Sequence, residues 1–278
     1  MRYKIAITGA TGFIGKPLAA RLAQAHDLIS VARSEGATFV GDITQKATVE
    51  QLYAYKPDVL IHLAATNEGD MQALFSSNII GTLNLVSQAP ESLKKVILIS
   101  SYAVYPSSKT PHTEDDAPAP DTEYGLTKHI AEQIAIHYCR KKGITLIILR
   151  PGTVYGPGNN KGVIHAFIRQ ASEGRISVSR DGSQMRSMIH RDDIIDAILA
   201  VLDHENHNTI FNVAGDEQAS VLELAQIISM LAGKAEITHT PANTAKPGDL
   251  MISSERLLSK GYWRPQITLK EGIGDLLR

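Results

Sequence analysis

One cysteine, Cys139, stands among 278 residues, so no internal disulfide can form. A lone thiol suits a reducing compartment, and Cys139 itself reads as a buried or half-buried side chain. Charge of one sign is equally scarce, since 28 basic residues against 29 acidic ones leave a net charge of −1. Without a long-range field or a cluster of Lys and Arg, neither nucleic acid nor an anionic membrane is expected as a partner. No apolar run approaches the roughly 20 residues of a membrane span. The amino terminus leaves no room for a secretion signal, because Tyr3 to Ile7 already alternates as a strand, and a cytoplasmic location is expected. What is present is ordinary for a globular protein, with 43% hydrophobic and 21% charged residues, enough chain for one large domain or two modest ones.

The most informative stretch is Ile5-Ala6-Ile7-Thr8-Gly9-Ala10-Thr11-Gly12-Phe13-Ile14-Gly15. An apolar run enters three glycines spaced three apart, and Leu18, Leu22 and Ala25 then recur as on a helix. A strand, tight turn and helix in this order bring backbone N–H groups and the helix dipole to a phosphate, with no Cβ in the way. A dinucleotide is the implied ligand. On this stretch alone an ordinary strand–helix turn remains the other reading.

Strands and helices alternate beyond it. Strands are expected at Asp27 to Ala32, Thr38 to Ile43, Val59 to Ala65, Val96 to Ser101 and Ile144 to Leu149. Helices are expected at Thr48 to Tyr55, Asn78 to Ala89 and Tyr124 to Lys142. Nearly all-apolar strands between helices predict an α/β fold with a doubly wound parallel sheet of the Rossmann kind, its ligand at the carboxyl ends of the strands. The proline-rich segment from Tyr105 to Thr122 is a long loop after a buried strand, where functional loops tend to sit. The second half is less regular, with helices expected at Val163 to Gly174, His190 to Leu202 and Val221 to Ala232, and strands at Ile176 to Val178, Ile210 to Val213 and Ile237 to His239. We assign residues 1–155 to a dinucleotide-binding domain and 156–278 mainly to a smaller substrate lobe interleaved with it.

Tyr124 and Lys128 lie one helical turn apart on one face. A cation beside a phenol favours phenolate, bringing a group with an ordinary pKa near 10 towards acid–base use. By spacing alone, a half-buried ring beside a solvated charge fits as well. Ser100-Ser101 at the end of a buried strand adds a hydroxyl that can meet a substrate oxygen beside the phenol.

These motifs together resemble the extended short-chain dehydrogenase/reductase family. The match runs in order through Thr8-Gly9-x-x-Gly12-x-x-Gly15, Asp42-Ile43, His62-Leu63-Ala64-Ala65, Asn78 with Gly81-Thr82-x-Asn84-Leu85, Ser100-Ser101-x-x-Val104-Tyr105, Tyr124-x-x-x-Lys128 and Arg150-Pro151-x-x-Val154-Tyr155-Gly156-Pro157-Gly158. It continues through Arg186-x-x-Ile189-His190-x-Asp192-Asp193, Asn212-Val213, Ser220-Val221-x-Glu223-Leu224 and Pro247-Gly248-Asp249. The family acts mostly on nucleotide-activated sugars as epimerases, dehydratases and ketoreductases, and its members are often homodimers. The resemblance implies Tyr124 as the acid–base group, Lys128 as the residue that holds the nicotinamide ribose and lowers the Tyr124 pKa, and Ser101 as a hydrogen-bond partner of the reacting oxygen. It implies that Gly9, Gly12 and Gly15, with Thr11, Phe13 and Ile14 between them, cradle the pyrophosphate. Asp42 and Ile43 would contact the adenine, and Ala64, flanked by Leu63 and Ala65, would line the nicotinamide side. Arg186 resembles the arginine that meets the substrate diphosphate, Tyr102 and Thr153 join the substrate positions, and His190 reads as structural. No metal site is expected.

The sequence departs from that pattern in places that bear on the reaction. The acidic residue that commonly binds the adenosine ribose of NAD is replaced by Arg33, followed by Ser34, and an arginine there pairs with a 2′-phosphate. NADP is therefore the favoured cofactor and NAD the alternative, with Arg33 then a solvated surface residue. The Asp-Glu pair of the dehydratases is replaced by Tyr102-Ala103, against dehydration. Thr153 stands where asparagine is usual, and Lys246 at best represents an arginine. The reading is a reductase of a nucleotide-linked keto-sugar. A 4-epimerase with tightly held NAD, a dehydrogenase of a sugar or alcohol without a nucleotide, and a non-catalytic cofactor-sensing protein are the alternatives.

Overall fold

The computed structural model describes residues 2–241 and 248–278. Its strands are β1 (Lys4–Thr8), β2 (Asp27–Ala32), β3 (Phe39–Val40), β4 (Val59–His62), β5 (Lys95–Ile99), β6 (Thr145–Pro151), β7 (Thr153–Tyr155), β8 (Arg175–Ser179), β9 (Met185–His190), β10 (Thr209–Val213), β11 (Gln218–Ser220) and β12 (Glu236–Thr240). Seven of them form one sheet in the order β10-β6-β5-β4-β1-β2-β3. The pairings from β6 across to β3 are all parallel. This is the doubly wound α/β fold, and its order reverses beside β1, where such sheets take their ligand. The apolar runs are buried on both faces, as in Ile5, Ala6 and Ile7 of β1, Leu60 and Ile61 of β4, and Ile97 of β5.

The chain falls into two compact units, each assembled from several stretches. The first comprises Met1–Val104, Pro118–Arg150 and Ile198–Phe211, and the second Tyr105–Ala117, Pro151–Ala197 and Asn212–Arg278. The chain passes between these units repeatedly, first at Val104 and again at Arg150. In the first unit Leu52, Leu60, Leu85, Val96 and Ile148 belong to one apolar core, which also holds Cys139, whose thiol burial pushes up to about 12. In the second, Phe167, Val178, Leu224 and Ile273 form a separate core. There β11-β9-β7 and β12-β8 make two small sheets. Asp193 ties the carboxyl-terminal stretch to this unit, its carboxylate accepting from the Gln266 and Ile267 amides at 2.9 and 3.2 Å and its carbonyl from the Trp263 indole at 3.1 Å.

Three strands that carry no clear apolar alternation, β7, β9 and β11, were not expected. The helix expected from Asn78 begins earlier: a turn of α-helix at Met71–Leu74 leads into a π turn at Phe75–Ile80 and then α-helix at Gly81–Ser87. Among the described residues no helix is long and apolar enough to cross a membrane.

The helix Glu123–Lys142 is tied to β6 by a buried ion pair. Arg150 donates to both carboxylate oxygens of Glu132, at 2.9 and 2.6 Å, with the two side chains 3% and 0% exposed. Removing one partner leaves the other charge buried and alone. Glu132→Leu is expected to cost about 3–5 kcal/mol of stability, read as a lowered urea midpoint at unchanged slope.

Candidate active site

The first unit builds a cradle at the carboxyl end of β1. Gly9 sits at φ +72°, its amide donating to the Val31 carbonyl at 3.0 Å. A Cβ on Gly9 would lie 2.8 Å from the Ala64 nitrogen, and one on Gly15 would lie 2.0 Å from the Gly9 carbonyl oxygen. Glycine at both positions is therefore a steric requirement of this turn. The helix Gly15–Ala25 has no side-chain cap, so its amino end offers backbone N–H groups to a ligand. The turn opens on a cavity of about 600 Å³ lined by Gly9, Thr11, Gly12, Arg33, Asp42, Ile43, Leu63, Ala64 and Ala65. Phe13, Ile14 and Gly15 are not in its wall. A cleft of this volume, with Gly9 and Gly12 of the turn in its wall, is large enough for a dinucleotide.

The Asp42 and Ile43 side of the cavity is held from behind. Asn84 donates from its side-chain amide to the Ile43 and Thr44 carbonyls at 3.1 and 2.9 Å, and a Cβ on Gly81 would lie 2.7 Å from Ile43 Cδ1. Arg33 lies exposed in the cavity wall beside Ser34, whose hydroxyl is 2.8 Å from that of Thr11. Thr66, Glu68, Ser76 and Ser77 also line the cavity. Sequence reasoning did not single them out, since they are polar residues in a turn, without periodicity.

At the carboxyl end of β5 the chain makes a 3₁₀ turn, Tyr102–Val104, in which the Ser101 hydroxyl accepts from the Ala103 amide at 3.1 Å. The helix Glu123–Lys142 starts beside it, capped by Thr122, whose hydroxyl accepts from the Gly125 amide at 3.0 Å. A Cβ on Gly125 would lie 2.0 Å from the Ala103 carbonyl oxygen, so the helix start and the 3₁₀ turn touch backbone to backbone. That contact brings Tyr124 to Ser101, whose hydroxyl favours the ionised form of the phenol.

The electrostatics differ from the expectation for Lys128. Burial raises the Tyr124 pKa above its ordinary value, and the group opposing this is the Ser101 hydroxyl. The Lys128 ammonium, 4% exposed, instead donates to the Ile99 carbonyl at 2.7 Å. Burial lowers its own pKa to about 8, against the pull of Glu132.

The expected substrate residues are divided. Ser101 and the half-buried Tyr102 belong to the first unit, whereas Thr153 and Arg186 belong to the second. Arg186 donates to the Met185 and Gly248 carbonyls, both at 2.7 Å. Lys246, with Pro247, lies outside the described residues. His190 is buried, edge-on to the Tyr155 ring at 5.4 Å between centroids, and its Nδ1 accepts from the Asp192 amide at 3.2 Å. Among the described residues no group of three or more His, Cys, Asp or Glu side chains could hold a metal ion.

The glycine turn with its cavity, and the Ser101, Tyr124 and Lys128 set of the same unit, can be set beside known proteins. The sequence model of the NAD dependent epimerase/dehydratase family matches residues 5–214, and the chain belongs to that family, among the extended short-chain dehydrogenase/reductases. It is an enzyme. A GDP-6-deoxy-D-mannose reductase from Pseudomonas aeruginosa is 27% identical over 100% of this chain and 97% of its own length. A UDP-N-acetyl-alpha-D-glucosaminuronate decarboxylase from Bacillus cytotoxicus is 30% identical, over 100% of this chain and 98% of its own. Among solved structures, a UDP-glucuronic acid 4-epimerase from Bacillus cereus, in complex with UDP-glucuronic acid and NAD, superposes with a TM-score of 0.86 at 27% identity, covering 97% of this chain and 96% of that one.

The depressed Lys128 pKa has a measurable sign. Between about pH 8 and its unfolded value near 10.5, the unfolded chain binds this proton and the folded one does not, so Lys128 contributes a gain of stability as pH rises through that window. With ¹³C-labelled lysine, one resonance of the cofactor-free protein is expected to titrate near pH 8 and to vanish in Lys128→Met.

Proposed function

We propose that the protein is an NADPH-dependent reductase of a keto group on a nucleotide-linked sugar. The observation that carries this reading is the end of β2, where Arg33 and the paired hydroxyls of Ser34 and Thr11 stand in the cavity wall at the place where an NAD-binding acidic residue is common. A guanidinium and two hydroxyls suit a phosphate monoester, whereas an acidic residue would repel it. Gly9, Gly12 and the helix start would take the pyrophosphate, Asp42 and Ile43 the adenine, and Ala64 the nicotinamide side. Bound there, the dinucleotide supplies the hydride.

The chain's own residues handle the oxygen. A phenol held above its ordinary pKa is protonated at neutral pH, the state a reduction requires. Tyr124 gives that proton to the carbonyl oxygen as it becomes a hydroxyl, and Ser101 donates a hydrogen bond to the same oxygen while charge builds on it. Lys128, with a pKa near 8, holds the ribose and helps to restore the proton on the phenol. Tyr102-Ala103 offer no carboxylate for removing water, which sets the reading apart from dehydration. On the substrate side, Arg186 would meet the diphosphate, with Tyr102 and Thr153 nearer the sugar. The relatives named as nucleotide-sugar reductases, which include a dTDP-4-dehydro-6-deoxyglucose reductase from Escherichia coli at 26% identity, support the substrate class.

The working unit is a homodimer in the cytoplasm. Phe75 and Leu126, 45% and 40% exposed on neighbouring helical segments, are apolar groups that a second copy would cover. Sedimentation is expected to give twice the chain mass, and Phe75→Lys with Leu126→Lys to return it to that of one chain.

Activity is tested by oxidation of NADPH against a panel of UDP-, dTDP-, GDP- and CDP-linked 4-keto-sugars. Turnover is expected with one of them, with Arg33→Asp shifting preference towards NADH. Tyr124→Phe is expected to lower kcat by about 10²–10⁴ at unchanged cofactor affinity. Stoichiometric NAD in the purified protein, with interconversion of sugar nucleotides and no cofactor consumed, would overturn the reading in favour of a 4-epimerase.

A further inference from the structure

Beneath the cradle, buried polar groups of the first unit form one directional chain. The Ala64 amide donates to the Thr8 hydroxyl at 3.2 Å, and Thr8 Oγ1 lies 2.7 Å from His62 Nδ1. On the other side of the ring, His62 Nε2 lies 3.0 Å from Thr82 Oγ1, and the Thr82 hydroxyl donates to the Asn78 carbonyl at 2.6 Å. The two ends decide where the hydrogens are. Thr82 has one hydroxyl hydrogen and gives it to a carbonyl, so towards the ring its oxygen can only accept, and Nε2 must carry a hydrogen. Burial, with the Lys128 charge adding to it, keeps the ring neutral, its pKa lowered to about 3. Nδ1 then keeps its lone pair and accepts from Thr8, whose oxygen in turn accepts from Ala64. The other neutral tautomer would set two lone pairs against each other at Thr82.

The chain continues towards the phenol. The Asn78 side chain accepts from the Thr66 amide at 2.8 Å and donates to the Thr66 carbonyl and the Thr127 hydroxyl, both at 2.9 Å. Thr127 donates to the Tyr124 carbonyl at 2.9 Å. Thr8, His62, Asn78, Thr82 and Thr127 are each at most 3% exposed. Asn78 serves both sides because it sits within the π turn at Phe75–Ile80, a local widening of the helix common where a residue has a task.

We propose that His62 is a positioning residue: as the Nε2–H tautomer it ties the loop carrying Ala64 to Asn78 and, through Thr127, to the helix turn carrying Tyr124, so that dinucleotide binding and placement of the phenol are coupled. The coupling rests on the dinucleotide reading of the cradle. His62 touches neither cofactor nor substrate in this role. It transmits position because its two ring nitrogens are locked to opposite hydrogen-bond roles, and a ring flip would break a bond at each end.

The test uses the full chain with His62 identified in its ¹⁵N spectrum, and titration with NADP and NADPH. In the unaltered protein, His62 is expected to show a protonated Nε2 and an unprotonated Nδ1. Thr82→Val, nearly equal in volume but without the hydroxyl, is expected to lose about tenfold or more in NADPH affinity, while Thr82→Ser stays within about twofold. A polar cluster that merely holds the core together would instead lower the melting temperature and leave affinity unchanged. Should Thr82→Val fail to fold, Thr127→Val cuts the same chain nearer Tyr124 and carries the same expected loss. An Nδ1–H tautomer, a charged ring, or valine variants with unchanged NADPH affinity would overturn the proposal while leaving the functional reading standing. Failure of the unaltered protein to bind any nicotinamide dinucleotide would overturn both.

Discussion

The contact of Gly125 with the Ala103 carbonyl is the constraint on which the reacting centre depends. It joins the start of the helix Glu123–Lys142 to the 3₁₀ turn after β5 at backbone distance, where a Cβ would stand 2.0 Å from the carbonyl oxygen. Two residues before Ala103 is Ser101, and one before Gly125 is Tyr124, so the pair of hydroxyls inherits its separation from a contact that contains no side chain. A rotamer change can move either hydroxyl, but neither backbone can drift. Thr122 fixes the helix at its cap and the Glu132–Arg150 pair fixes it to β6, so the first turn is held at several points. Preorganisation of this kind matters because a misplaced proton donor loses much of its effect.

Dryness then sets the chemistry. The same burial that raises the Tyr124 pKa lowers those of Lys128 and His62, because in each case it penalises the charged form. The outcome is a site with a protonated phenol, a lysine whose proton is loosely held, and a neutral histidine beneath. Glu132 is the buried carboxylate facing this group from the same helix. Because Arg150 holds both of its oxygens, it tempers Lys128 without drawing the ammonium away from Ile99. A free carboxylate in that place would compete for Lys128 and pull it one helical turn from where it is useful.

Legibility from sequence follows from what each signal encodes. The sheet was readable because strands covered on both faces must be continuously apolar, and β1, β4, β5 and β6 are. The cradle was readable because close backbone approach admits only glycine, which leaves an unmistakable residue at Gly9 and Gly15. What was not readable shares a different cause. Strands β7, β9 and β11 are short members of small sheets, and Arg186 and Ser187 carry no alternation that marks β9. The π turn depends on where Asn78 finds its partners, Thr66 and Thr127, which no local pattern records. Helical spacing placed Lys128 on the face of Tyr124 but could not show the Ile99 carbonyl that engages the ammonium, nor that Ser101 would be the group opposing burial.

Cofactor and substrate selection rest on different physical grounds. On the proposed reading, selectivity around the cradle is a matter of exposed side chains: the turn at Gly9 is backbone and would take either dinucleotide, so Arg33, with the Ser34 and Thr11 hydroxyls, would be what the ribose meets. Exposed groups of this sort are screened and easily exchanged, whereas the Ser101, Tyr124 and Lys128 set is locked by buried backbone contacts and hydrogen bonds. In the second unit, Arg186 spends part of its guanidinium on two backbone carbonyls, which fixes its direction. A chain built in this way holds the proton chemistry constant through packing while cofactor choice can change by single residues at the end of β2. On that reading, the motifs are clear in the sequence while the choice of sugar would fall to the second unit's less patterned segments.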